Sequence, residues 1–322
     1  MLPLILSLGF GFLYFTSRPS ISYDFKSRFA SFYASSPDTL YPKGFAWDIA
    51  VVEGDFGEDE DFLPSAGLLC SMNGGQALFS KNAFRKMHPA STTKIMTALI
   101  AIKYANLEEE ISVGSEVRIT EEKTSMAGLN PGDRLSMKDL LYGLMLPSGN
   151  DAANAIAVHM AGDVDAFSRR MNEEAANLLA VDTHFTNPHG LTDENHYTSA
   201  YDLYLIFKEA MKYPVFRELI KTPRYTAKYF DKDKKPVTKT WENTNLYLFD
   251  ASLAPADVRP FLDLSSGTDI LGGKTGTTGA ARNCLVLGSS RNEEEYVSVI
   301  LKAPGKAALY ENMTNLLDKI EQ

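Results

Sequence analysis

The 322 residues carry 41 acidic and 32 basic side chains, a formal net charge of −9, which leaves no basic stripe to neutralise phosphates and argues against a nucleic-acid partner. Hydrophobic residues make up 44% and charged residues 23%, the balance of a soluble globular chain with ample core for one or two domains. The two cysteines, Cys70 and Cys284, sit in apolar strand-like runs without Cys-x-x-Cys or Cys/His metal spacing. They read as buried thiols, with a bridge between them left open.

In chain order, residues 2–16 form an uncharged apolar run that is shorter than the ~20 residues of a membrane span and suits a signal h-region. No Lys or Arg precedes it, and Arg18 follows. Residues 1–20 are therefore read as a signal peptide or N-terminal anchor, and the chain as exported: secreted, or held at the envelope by its N-terminus. Residues 21–64, with several prolines and the acidic cluster at 53–61, read as a tether and lead-in.

A domain is predicted over 65–321. Residues 66–72 read as a buried strand, Asn73-Gly74-Gly75 as a hairpin turn and 77–80 as the returning strand. A helix follows from Ser91 to about Leu107. Between 111 and 220 the pattern is mainly helical, with helices at 137–146, 151–161, 164–179 and 199–212 and a structured loop at 181–198. Residues 221–262 are polar, carry Trp241 and read as a hairpin or an excursion near the site. Strands return at 272–277, 283–290 and 296–302, and a helix closes the chain at 307–321. The fold class predicted is α/β (α+β): an antiparallel sheet formed from both ends of the chain, flanked by helices, with a helical insertion.

Three short motifs carry chemistry. In Pro89-Ala90-Ser91-Thr92-Thr93-Lys94, Ser91 and Lys94 are three apart and share one helix face, so a lysine held neutral can take the proton of a nucleophilic serine. Alone, the pattern reads more simply as a serine N-cap with a solvent-facing lysine. Ser148-Gly149-Asn150 breaks two predicted helices; its hydroxyl can relay a proton, and its amide can hold a substrate carbonyl or a lysine head. Alone, it is an ordinary turn. Lys274-Thr275-Gly276-Thr277 lies on a predicted strand, where the hydroxyls can bind a carboxylate, the lysine adds positive charge and Gly276 lets a substrate backbone approach. Each is weak by itself, but the three in this order, each in the context it requires, point to one site.

With these motifs, residues 65–320 resemble the D-alanyl-D-alanine carboxypeptidases, the low-molecular-mass penicillin-binding proteins of the β-lactamase/transpeptidase-like superfamily. Thr186-Asn187-Pro188-His189-Gly190-Leu191 and His196-Tyr197-Thr198-Ser199-Ala200 add to the likeness. The resemblance implies that Ser91 attacks the penultimate D-Ala carbonyl of a peptidoglycan stem peptide, the terminal D-Ala leaves, and water hydrolyses the acyl-enzyme. Lys94 would be the base, Ser148 the proton shuttle to the leaving amine, and Asn150 the group that orients Lys94 and substrate. The backbone N–H groups of Ser91 and Thr277 would form the oxyanion hole, and Lys274, Thr275 and Thr277 would hold the carboxylate. β-Lactams would acylate Ser91, with no metal or organic cofactor. His189 and His196 are given no catalytic role.

The chain departs from the pattern in three places, one of them the 221–262 segment, which does not align with the family and would shape access to the site. Residues 304–311 offer Lys306 where several members of the family place an arginine for the carboxylate, and the chain ends at Gln322 without the β-rich C-terminal domain and amphipathic helix of many relatives. Alternative readings are a D,D-endopeptidase or a β-lactamase of the same superfamily and, in a different class, a non-catalytic sensor that binds peptidoglycan or β-lactam. A class A β-lactamase would need a loop glutamate; none is found, and Glu173 and Glu174 read as solvent-facing on a helix.

Overall fold

In the computed structural model, which describes residues 50–52, 62–121, 124–264 and 267–321, both ends of the chain build the same sheet. These residues all belong to one unit, Ala46–Gln322. The expected leader at 1–20 and most of the 21–64 tether lie outside the described residues.

Four strands come first, β1 (Ala50–Val51), β2 (Ala66–Ser71), β3 (Gly75–Gln76) and β4 (Phe79–Lys81), then a 3-10 turn at Ala90–Thr93 that runs into helix α1 (Lys94–Tyr104). The middle of the chain supplies β5 (Glu110–Ser112), β6 (Arg134–Ser136), α2 (Met137–Met145), α3 (Asn150–Ala161), α4 (Val164–Asn177), α5 (Ala200–Ala210) and α6 (Pro214–Lys221). The hairpin β7 (Arg224–Phe230) and β8 (Pro236–Glu242) follows, and β9 (Asp269–Thr278), β10 (Arg282–Arg291), β11 (Glu294–Ala303) and α7 (Lys306–Asp318) close the chain. The main sheet has the antiparallel order β4-β2-β11-β10-β9, and a smaller one has the order β5-β6-β7-β8.

Strand alternation explains the layers. Leu68 and Cys70 of β2, Val286 of β10 and Val297, Val299 and Leu301 of β11 face one core with α1 and α5. Their neighbours Leu69, Leu285, Leu287 and Ile300 face the other, against Leu309, Met313, Leu316 and Leu317 of α7. The sheet is thus covered on both faces, so its strands read as continuous apolar runs. Each fully buried leucine contributes ~1.5–3 kcal/mol of transfer free energy.

Several helix starts follow local rules. α2 opens with a capping box, Ser136 Oγ accepting from Asp139 N at 3.0 Å while Asp139 accepts from the Ser136 amide. Asp163 and Ser199 cap α4 and α5. α1 is different, because no side chain caps it and the chain enters through the 3-10 turn with Ala90 at φ 51°. Ser91 is therefore not an N-cap, and its hydroxyl is free of that duty.

The 221–262 segment contains the β7–β8 hairpin, one of the two expected outcomes. Trp241 on β8 is buried; its indole N–H donates to Ala127 O at 2.9 Å, and Lys239 Nζ donates to Gly128 O at 2.8 Å. The return strand expected at 77–80 lies at 79–81, because the Ala77 N–H donates to Val51 O at 2.9 Å and so continues the parallel pairing of Gly75–Gln76 with Ala50–Val51. Two three-residue strands, β5 and β6, interrupt the expected helical block. Glu174 corrects its sequence reading: it lies on the packed stripe of α4 with Phe167, Met171 and Ala175, and it is buried. Lys103 Nζ donates to its carboxylate at 2.5 Å and Tyr104 OH at 3.1 Å. Cys70 and Cys284 are buried, unbridged thiols, and burial pushes both up to about 12.

Candidate active site

The 3-10 turn carries Ser91 half-buried at its surface and hands Lys94 to the first position of α1, where the side chain is fully buried. Lys94 Nζ donates to Asn150 Oδ1 at 2.7 Å and to the His189 carbonyl at 2.8 Å, and it lies 3.1 Å from Ser91 Oγ. Burial first, and then the charge of Lys274, hold the Lys94 ammonium well below the ordinary lysine range, while Asp151 opposes them. A neutral amine at this position keeps two N–H donors for Asn150 and His189 and turns its lone pair to the serine hydroxyl.

Lys274 of β9 is also buried, which pushes its pKa down to about 7; its Nζ donates to the Thr275 carbonyl at 2.9 Å. Gly276 lines the larger cavity at Ser91 and has a packing task besides the one expected. A Cβ there would come within 2.8 Å of the Ser91 amide nitrogen and 3.0 Å of the Pro89 carbonyl, so the glycine lets β9 itself lie against the nucleophile's turn. Gly190 does the same from the other side: at φ +91°, its Cβ would fall 1.8 Å from the Ala90 carbonyl oxygen. The Ser91 turn is thus wedged between a strand and a loop that both approach without side chains.

Two cavities meet at Ser91. One of about 230 Å³ is lined by Thr124, Asn150, Gly190, Thr277 and Gly279; the other, of about 340 Å³, by Ser148, Thr244, Thr275, Thr277 and Lys306. Thr275 Oγ1 is 2.6 Å from Thr244 Oγ1, and Thr277 Oγ1 donates to Asn283 Oδ1 at 3.3 Å. Ser148 has a left-handed backbone (φ 62°) and a buried hydroxyl that makes no hydrogen bond among the described residues. It shares the larger cavity with Ser91 but stands outside the Lys94 network.

Several members of the site carried no sequence signal. Asn150 Nδ2 donates to Thr124 Oγ1, and its backbone N–H donates to Ser125 O at 2.9 Å. The carboxylate of Asp151, at the start of α3, accepts from the amides of Ala127 and Gly128 at 2.7 Å and of Leu129 and Ala152 at 2.9 Å. Thr124 and Ser125 sit in a loop with no periodicity. Asp151 adjoins the second motif, and only its position next to Asn150 could have marked it.

His189 Nδ1 accepts from the Leu191 amide at 3.2 Å within its own loop, as expected, whereas His196 reaches beyond the loop. His196 Nδ1 accepts from the Thr186 amide at 3.1 Å, which fixes the proton on Nε2, 2.8 Å from Thr93 Oγ1 next to Lys94. Burial lowers His189 and His196 to about 3, so both are neutral imidazoles. Among the described residues, no group of three or more His, Cys, Asp or Glu is gathered to hold a metal ion, and no helix is long and apolar enough to cross a membrane.

The sheet, the helical insertion and a serine within reach of a buried lysine define a serine-type hydrolase of the DD-peptidase fold. The chain belongs to the D-alanyl-D-alanine carboxypeptidase family, whose model matches residues 60–305. It is 32% identical over 257 residues to the D-alanyl-D-alanine carboxypeptidase DacF of Bacillus subtilis, a match that covers 79% of this chain and 61% of that protein. Against the D-alanyl-D-alanine carboxypeptidase of Streptomyces sp. strain K15 the identity is 33%, over 76% of this chain and 82% of the relative. The crystal structure of the Streptomyces K15 DD-transpeptidase superposes with a TM-score of 0.71 at 30% identity, covering 80% of this chain and 97% of that one.

Proposed function

We propose that this protein is a serine-type D-Ala-D-Ala carboxypeptidase that removes the terminal D-Ala from peptidoglycan stem peptides through an acyl-enzyme on Ser91. The observation that carries the proposal is a fully buried Lys94 amine, depressed by desolvation and 3.1 Å from the Ser91 hydroxyl.

In this reading Ser91 Oγ bonds to the penultimate D-Ala carbonyl carbon as its proton passes to Lys94 Nζ. The developing oxyanion is met by the backbone N–H groups of Ser91 and Thr277, which the closeness of Gly276 to the Ser91 amide supports. The C–N bond then breaks, and the leaving D-Ala amine takes a proton by way of Ser148. Water adds to the ester, with Lys94 again the base, and frees Ser91. Asn150 holds Lys94 and the substrate amide. Lys274, Thr275 and Thr277 hold the terminal carboxylate, helped by Lys306, which opens on the same cavity in place of the missing arginine. β-Lactams mimic this substrate end and acylate the same serine. The substrate puts the enzyme outside the cytoplasm, with the N-terminal segment as its leader or anchor. A β-lactamase has less support, because Glu174 is committed to Lys103 and Tyr104.

Intact mass after incubation with a penicillin is the test. A long-lived single adduct is expected on the unaltered protein and none on Ser91→Ala, together with D-Ala release from a D-Ala-D-Ala peptide that Ser91→Ala abolishes. Substantial residual release in Ser91→Ala, or no adduct on the unaltered chain, would overturn the mechanism.

A further inference from the structure

A third cavity, of about 320 Å³, lies beside the site and is assigned no role by the mechanism above. Its lining includes Arg85, Lys86, His88, Glu194, Ala280 and Lys302. In a chain of net charge −9, three cations against one carboxylate is a local reversal of sign. Lys86 is partly spoken for, with Asp182 at 3.6 Å and the Tyr197 ring at 4.8 Å, and His88 is engaged with the His196 carbonyl at 2.9 Å. Arg85 and Lys302 form no ion pair among the described residues.

Lys302 is also held in an unusual way. It has φ 59°, a left-handed conformation that disfavours any residue with a Cβ, where the β10–β11 register shifts between Asn283 and Leu285. A bulge re-aims the side chain it carries, and a non-glycine residue keeps a left-handed backbone only where its surroundings fix it. Here the bulge falls at a residue that lines the cavity.

The cavity continues the acyl side of the cleft. Gly190, Leu191, Thr278 and Gly279 line the 230 Å³ cavity next to Ser91, and the same two segments go on to Glu194, Tyr197 and Ala280 in the basic one. A hydrogen bond from Thr192 Oγ1 to Thr278 Oγ1 at 3.2 Å joins the two segments. Gly276 marks the position of Ser91 along β9. At ~3.3 Å per residue, a peptide extended along β9 covers about 7 Å from there to the strand's end at Thr278, which leads into the turn that carries Ala280.

We infer that this basic cavity is a subsite for a carboxylate carried by the substrate two or three residues on the amino side of the scissile bond, so that the enzyme selects anionic stem peptides. The inference rests on the carboxypeptidase reading and adds a specificity determinant to it. Arg85 and Lys302 supply the charge, and Glu194 sets a limit on how much.

The experiment compares two pentapeptides ending in D-Ala-D-Ala that differ only in an acidic residue or its amide one position before the acylating D-Ala, or two positions before it. D-Ala release is measured for the unaltered protein, Arg85→Ala, Lys302→Ala and the double variant, with penicillin acylation reporting separately on the Ser91 site. The unaltered enzyme is expected to prefer the carboxylate form in kcat/KM by about tenfold, through KM. That ratio should fall towards one in the double variant and rise in Glu194→Gln. A ratio that survives in the double variant, or a ratio near one in the unaltered enzyme, would overturn the subsite. Faster turnover of the acidic peptide in the alanine variants would also overturn it, since the cavity would then serve a carboxylate of the chain itself. Failure of penicillin to acylate the unaltered chain would instead remove the carboxypeptidase reading and the subsite with it.

Discussion

Lys94 and Lys274 are both buried, and the charge of one bears on the other. Two ammonium groups in a desolvated cleft disfavour each other, so the first proton leaves well below the ordinary lysine range. If Lys94 gives it up and Lys274 keeps its own, the pair provides a base beside a cation. Activity should then rise with pH as Lys94 deprotonates and fall as Lys274, at about 7, loses the charge that holds the carboxylate. Lys274→Met removes the like charge, so the Lys94 pKa must rise and the ascending limb must move to higher pH. The pH profile of the penicillin acylation rate reads this directly. An ascending limb that stays in place would mean that Lys94 is not the base or that Lys274 is already neutral there. Activity in Lys274→Met is also expected to fall, but only the position of the limb separates charge coupling from lost binding.

At the scale of elements, the loop 124–130 shows how the site is assembled from parts that no local pattern connects. It has no strand or helix of its own, yet Asp151, Asn150, Lys239 and Trp241 all fasten it, from α3 and β8. Asp151→Asn exchanges an anion that accepts from four backbone amides for a group with one acceptor oxygen. At least one buried N–H is then unpartnered, which costs ~1–3 kcal/mol. Thermal unfolding should show a loss of about 5–10 °C, and penicillin acylation should slow as Thr124 and Ser125 lose their positions. An unchanged midpoint would sink the clamp. The same contrast decides what the sequence could show. β2, β10 and β11 were readable as continuous apolar runs, helices α2 to α5 from their helical period, and β9 with Ser91, Lys94, Asn150 and Lys274 from the motifs they stand in. Thr124, Thr244 and the His189 carbonyl reach the site only through tertiary packing, and β5 and β6 are too short to display a period. Glu174 was misread because its neighbours, Lys103 and Tyr104 on α1, come from a distant segment, and the packing of Gly276 on the Ser91 turn escaped notice for the same reason.

For the molecule as a whole, the buried bases around the catalytic turn tie stability to pH. His189 and His196 have folded pKa values of about 3 against 6.5 for free histidine. Between those values the unfolded chain binds protons that the folded chain refuses, so the stability they contribute is complete above about pH 6.5 and is lost as pH falls towards 3. Glu295, held down by its hydrogen bonds to Arg217, acts with the same sign at lower pH, whereas Asp133 and Asp202, raised by burial, act against it. His196 is the informative member, because it joins the loop at Thr186 to Thr93 beside Lys94. His196→Gln keeps a side-chain N–H for Thr93 but cannot take up a proton in this range. It should be less stable than the parent at pH 7.5, since the ring's packing is lost, yet it should lose less further stability between pH 7.5 and pH 5. Urea midpoints at the two pH values measure both quantities. An equal loss in parent and variant would assign the proton uptake to other groups and separate the acid sensitivity of the fold from the turn that carries Ser91. A smaller loss in the variant would mean that the turn and the fold yield to acid together, because the same imidazole that secures Thr93 must stay neutral for the core to remain closed.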